Sequence, residues 1–325
     1  MTKELLLFIG IGFHQFDEFI KEDLSKRYNV CYVCSNKYIN KHPALSKILA
    51  TVCPRLLDFL SERDVAKQLN AIDDQVSKLF VIKGEHLNVS HLEFLYRKFN
   101  ISNKVLYLWD SWKNHKNLDV IAPLFDEVYS FDSKDCKDLG LKFRPLFYFK
   151  SQIKIDMPKI IDVAFVGGDH SDRYQKISYF KNLCLSNNWS YSINLLVGRV
   201  TFFKYCYPKW FATKYSKNDV DILIGKPLSY KDYVNIVSKA NVIVDMPATG
   251  QTGLTMRTIE ALAMGAKLIT TNSYILEYED IPAASYLVWN ESSQEKDIVD
   301  FVNDKVSKVM LPSRYESSYA LKEMI

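Results

Sequence analysis

Residues 241–270 read NVIVDMPATGQTGLTMRTIEALAMGAKLIT. The apolar run Asn241–Asp245 has the character of a buried strand, and Pro247–Gly250 that of a loop. A helical pattern follows from about Thr252 to Met264. Gly265 stops it as a C-cap, and a second apolar run covers Lys267–Thr270. Strand, helix, strand in this order is a crossover unit, and it places the two strands parallel.

The same alternation extends along most of the chain. Strands are predicted at Leu5–Ile9, Val30–Val33, Leu79–Ile82, Lys104–Trp109 and Glu127–Phe131, then at Ile161–Val166, Tyr191–Val197, Asp221–Ile224, Val242–Val244 and Lys267–Thr270. Amphipathic sequence separates them, for example at Phe16–Lys26 and Ser171–Asn187. The pattern lapses at residues 147–158. The expected fold is therefore α/β with two Rossmann-like domains, residues 1–150 and 151–325, facing a central cleft. The tail from Glu295 to Ile325 reads as helix broken at Pro312, its last part free to pack back on the N-terminal domain.

The bulk properties agree. A chain of 325 residues exceeds what one hydrophobic core usually serves. A hydrophobic fraction of 48% with 25% charged residues is that of a globular protein. Net charge is +4, too small to argue for nucleic acid, and no nucleic-acid partner is expected. No apolar run is long enough to span a membrane. Glu4 interrupts the charged start of a signal peptide, so Leu5–Ile9 reads as a first strand. Cys31 and Cys34 lie three apart on a strand and point to opposite faces, which argues against a zinc or redox pair and for reduced thiols in a cytoplasmic protein.

Two turns in the second half carry candidate chemistry. In Val166–Tyr174, Gly167 and Gly168 free the backbone and Arg173 starts the next helix, which together suit a diphosphate. In the opening stretch, residues 253, 257, 260 and 264 share one helical face, apart from the apolar face of Ile259, Leu262 and Ala263. Amides of Gly253, Leu254 and Thr255 would attract an anion, Arg257 would reach phosphate oxygens, and Glu260 would accept two hydrogen bonds from a ribose. An ordinary Arg–Glu helix pair is the simpler alternative. The turn Gly10–Gln15 sits where a dinucleotide fingerprint would. However, Gln15 replaces its third glycine, and Val33–Lys37 offers no acid for a ribose. No nicotinamide cofactor is expected.

The paired α/β halves, the Arg173 turn and the segment TGLTMRTIEALAMGAKLIT resemble GT-B glycosyltransferases. More narrowly, Val81–Glu85, Leu106–Asp110 and Phe125–Asp132 resemble bacterial enzymes of lipopolysaccharide, O-antigen and capsule assembly, including the CgeB-like group. The resemblance implies a nucleotide-sugar held by the C-terminal domain and an acceptor held by the N-terminal one. It places Glu260 on the ribose-binding glutamate, and Thr252, Gly253, Leu254, Thr255 and Arg257 on the diphosphate-binding helix start. Thr252 stands where many retaining members carry a second glutamate, so retention or inversion stays open. Leaving charge would fall to Arg173, Arg257 and Lys226, with no metal and no cofactor beyond the donor. An inverting reaction would need a base from the N-terminal domain, for which Asp110, His14 and Glu85 are the candidates. Asp110 also reads as a helix cap, and His14 as a structural histidine.

Arg199–Lys217 interleaves seven aromatic with five basic residues. That composition suits peripheral contact with the inner face of a membrane, or a lipid-linked acceptor. An amphipathic crossover helix with inward aromatics is the alternative. Two other readings remain beside the transferase: a nucleotide-sugar epimerase or hydrolase, and a non-catalytic nucleotide- or glycan-binding partner.

Overall fold

The computed structural model describes residues 3–12, 15–198, 201–202, 215–247, 252–304 and 311–325. His14 and most of 199–217 lie outside these residues. The chain divides into two compact units, Met1–Phe149 with Arg314–Ile325, and Lys150–Ser313.

The first unit is built on a parallel sheet of β1 (Leu5–Gly10), β2 (Asn29–Cys34), β3 (Lys78–Ile82), β4 (Asn103–Leu108), β5 (Glu127–Ser130) and β6 (Lys142–Phe143). Their spatial order is β2-β1-β3-β4-β5-β6. Phe8 of β1 stands in register with Tyr32 of β2 and Phe80 of β3. Leu6–Ile9, Leu79–Ile82 and Val105–Leu108 are fully buried. A parallel sheet is covered on both faces, which is why these strands read as unbroken apolar runs. The helix Val89–Lys98 starts on a reciprocal cap: Asn88 accepts from the His91 amide at 3.0 Å, and the Asn88 amide donates to His91 Nδ1 at 3.3 Å.

The second unit repeats the design with β7 (Ile161–Gly168), β8 (Tyr191–Leu196), β9 (Leu223–Ile224), β10 (Ala240–Asp245), β11 (Lys267–Thr270) and β12 (Tyr286–Val288). Their order is β12-β11-β10-β7-β8-β9, all parallel. The short edge strands β6 and β12 were not expected from sequence. Neither has an apolar run long enough to stand out.

The tail does not form one interrupted helix. The helix Glu295–Asn303 belongs to the second unit, and Ser317–Met324 to the first. The tail is tied in by backbone: the Tyr148 amide donates to Tyr315 at 2.8 Å, and the Ser317 amide to Tyr148 at 2.9 Å. Buried Arg144 pairs with Glu323 and donates to the Arg314 carbonyl at 3.1 Å. Leu321 is buried in this contact. Leu321→Ala is therefore expected to cost about 2–5 kcal/mol in urea unfolding of the first unit. A loss below about 1 kcal/mol would contradict the docking of the tail.

Candidate functional site

From β7 the chain runs to β8 and β9 on one side. It then returns to lay β10, β11 and β12 on the other. The loops leaving β7 and β10 consequently diverge, and an open α/β sheet binds ligands at such a switch point. The residues singled out from sequence in this half gather here, with one exception. Gly167 and Gly168 end β7. A Cβ on Gly167 would stand 2.8 Å from the tip of the Phe165 ring, so a larger residue would have to displace that ring.

Arg173 is buried and starts the helix Arg173–Ser186. Its guanidinium donates to the carbonyls of Gly168 and Met246, and so ties the end of β7 to the end of β10. Burial lowers its pKa, and the nearby Arg257 charge lowers it further. Asp245, Asp169 and Asp172 act in the opposite sense. Arg257 is the second residue of the helix Met256–Ala263. Among the described residues it makes no hydrogen bond or ion pair. Two cations thus sit at two helix N-termini, where the helix dipole already favours an anion.

The helix starts one turn later than expected, at Met256 rather than near Thr252. Thr255 is its cap, accepting from the Thr258 amide at 3.2 Å. Thr252 and Gly253 are held in the preceding loop by Asn272, whose side-chain amide donates to their carbonyls at 3.1 and 3.4 Å. The Leu254 amide faces the Tyr278 hydroxyl at 3.5 Å. Of the amides singled out from sequence, that of Leu254 is engaged, and the helix start adds those of Met256 and Arg257 in its first turn. Asp245 closes β10 and accepts from the Thr258 hydroxyl at 2.7 Å, which anchors the helix start to the strand end. Its role was missed in the sequence, although an acid ending an apolar strand is a visible signal. Lys226 is the exception to the gathering. It follows β9, two strands and roughly 10 Å from β7, and it is exposed.

Glu260 does not face away from the core: it is 1% exposed. It accepts from the Tyr230 hydroxyl at 2.6 Å, and the Tyr233 phenol lies beside it. Burial drives its carboxyl up to about 7, while the two phenols and Arg257 pull downward. Tyr230 is thirty residues away in sequence, and no local pattern joins it to Glu260.

In the first unit, Gly12 takes a positive φ of 65°, and its amide donates to Asp17 at 2.7 Å. The same carboxylate oxygen accepts from Tyr32 at 2.5 Å. The turn's amide thus serves the chain's own carboxylate. A separate cavity of about 250 Å³ lies beyond β3 and β4, lined by Asp58, Glu62, Lys83, Glu85, His86 and His115 among others. Glu85 pairs with Lys83 at 2.8 Å and accepts from Asn36 at 2.8 Å. Burial pushes its carboxyl upward, but Lys83, Asn36 and His86 outweigh that and hold it below its ordinary value. Asp110 lies 3.7 Å from Lys83 and accepts from the Ser111 amide at 3.0 Å and from Asn114 at 2.7 Å. Lys83 therefore brings Glu85 and Asp110 together. Lys83 and His86 hold positive φ, the kind of strain that collects at functional turns.

No protein-family profile matches the chain, and no curated protein sequence matches it. Solved structures share its fold. The glycotransferase of kitacinnamycin is 11% identical, with a TM-score of 0.51 over 100% of this chain and 95% of that one. The UDP-N-acetylglucosamine 2-epimerase from Rickettsia bellii is 10% identical, with a TM-score of 0.51 over 100% and 96%. At these identities the likeness is one of fold: two Rossmann-like α/β domains of the GT-B class.

The Glu260 environment has a measurable consequence. A folded-state pKa of about 7, above the ordinary 4.5, means that the folded protein binds this proton more tightly than the unfolded chain does. The stability it contributes is complete below pH 4.5 and is lost as pH rises through 7. Relative to Glu260→Gln, the native protein is expected to lose up to about 3 kcal/mol over that window. Parallel urea-unfolding curves for the two proteins at every pH would refute this.

Proposed function

We propose that the chain is a glycosyltransferase. It moves a sugar from a nucleotide-sugar donor to a glycan or lipid-linked acceptor, in the synthesis of a bacterial cell-surface polysaccharide such as lipopolysaccharide, O-antigen or capsule. The observation that carries the reading is Arg257, a cation without a partner among the described residues, beside buried Arg173 at the β7/β10 switch point. A diphosphate would give Arg257 the direct anionic partner that it has among none of the described residues.

In the reaction the acceptor oxygen forms a bond to the anomeric carbon. The bond from that carbon to the β-phosphate oxygen breaks, and the nucleoside diphosphate leaves with the electron pair. Arg257 and the amides of Met256 and Arg257 stabilise that charge at the start of the helix Met256–Ala263. Glu260 would hold the ribose once its hydroxyls replace the Tyr230 phenol. An inverting reaction would need a base for the acceptor proton, for which Asp110 and Glu85, brought together by Lys83, are the candidates in the first unit. The donor is a substrate, and the reading requires no cofactor. The site of action is the cytoplasm, at the inner face of the membrane.

The epimerase reading draws on the second structural neighbour. It differs in outcome, since an epimerase or hydrolase alters a nucleotide-sugar without any acceptor. A non-catalytic binding partner would bind nucleotide and turn over nothing.

A thermal-shift series with UDP, GDP, TDP, ADP and CMP tests the reading. One nucleotide at about 100 times its Kd adds roughly 2.7 kcal/mol of stability. Arg257→Ala is expected to abolish that shift while changing the stability of the ligand-free protein little, because it removes a repulsion with Arg173 and an attraction to Glu260 together. Silence toward all five nucleotides and their sugar derivatives would overturn the donor site.

A further inference from the structure

The helices Pro43–Val52 and Pro54–Asn70 form a hairpin whose near end is inverted. In Pro43–Val52 the one buried residue is Ser46, although the sequence PALSKILATV is mostly apolar. Its large side chains point outward instead. Leu45, Ile48 and Val52, with Leu56 and Phe59 of the second helix, are between 42% and 77% exposed. Steps of three and four put Leu45, Ile48 and Val52 on one face, and a step of three puts Leu56 and Phe59 on another beside it. Every residue from Ala50 to Leu56 is exposed, including Cys53 and Pro54 at the bend. A contiguous apolar surface of this kind marks an interaction site.

Charge selects the partner. Residues 37–59 contain Lys37, Lys41, Lys47 and Arg55 against a single acid, Asp58, which pairs with Lys116. All four cations are exposed. A second copy of the chain seated on this face would bring two sets of like charges together. An anionic lipid surface instead accepts the apolar side chains among its acyl chains and the cations among its headgroups.

We infer that this hairpin, residues 37–59, is a membrane-docking element that seats the first unit on an anionic bilayer. The inference goes beyond the proposed reaction and does not rest on it. It also places membrane contact on a surface other than 199–217.

The test is co-sedimentation of the full chain with vesicles of phosphatidylglycerol and phosphatidylcholine, against vesicles of phosphatidylcholine alone. The native protein is expected to partition onto the anionic vesicles at least tenfold more strongly, and less so as salt rises. Two variants change exposed positions only: Ile48→Ser with Val52→Ser, and Lys41→Gln with Lys47→Gln and Arg55→Gln. Each is expected to reduce partitioning about tenfold. A native protein that stays in the supernatant at low salt would overturn the inference. So would binding that neither variant alters, since another surface would then carry it. A native dimer that the serine variant converts to monomer would show that a second copy covers the face. Nucleotide binding, measured on the same variants, reports separately on the proposed reaction and is expected to be unchanged.

Discussion

Arg173 holds together the feature on which the second unit's chemistry depends. A guanidinium keeps its charge at any ordinary pH, so burying it requires acceptors. It finds them in the carbonyls that end β7 and continue β10. These two strands flank the point where the sheet reverses its direction of growth. One side chain therefore ties together the origins of two diverging loops, beside the carboxylates of Asp245, Asp169 and Asp172. Arg257 then adds a second cation, which makes no hydrogen bond or ion pair among the described residues and acts at a distance on Glu260.

The division of labour between the two arginines follows from burial. Arg173 spends its nitrogens on backbone and acts as a tie. Arg257 is half-buried and keeps its donors. Glu260 lies behind them, buried and bonded to Tyr230, so the ligand-free site already satisfies its most costly polar group. The turn after β1 shows the same economy: Asp17 takes the Gly12 amide, and a Cβ on Gly10 would fall 2.1 Å from its carboxylate. A glycine there makes room for a carboxylate of the chain itself.

Much of the fold was legible because parallel strands covered on both faces must be continuously apolar. Leu5–Gly10, Lys78–Ile82 and Ala240–Asp245 announce themselves in that way. Two-residue β6 and three-residue β12 carry no such signal, and their pairing is set by their neighbours. The residue types of the candidate site were also legible, but their geometry was not. Helical periodicity grouped Arg257 with Glu260 correctly, yet it could not show that Tyr230 and Tyr233 close over Glu260 from another helix. The true helix start depends on Asn272, which lies beyond the next strand and out of reach of any local pattern. The exposed apolar face of residues 45–59 was hidden for a related reason. Apolar periodicity says that a helix has an apolar side, and only tertiary structure says whether that side is covered.

The most direct test of the account is a crystal structure of the protein with the nucleoside diphosphate that stabilises it. The account predicts the diphosphate beyond β7 and β10, against the Arg257 guanidinium and the amides of Met256 and Arg257, with the ribose at Glu260 and Tyr230 displaced. A nucleotide bound in the first unit, or a diphosphate that leaves Arg257 untouched, would contradict it.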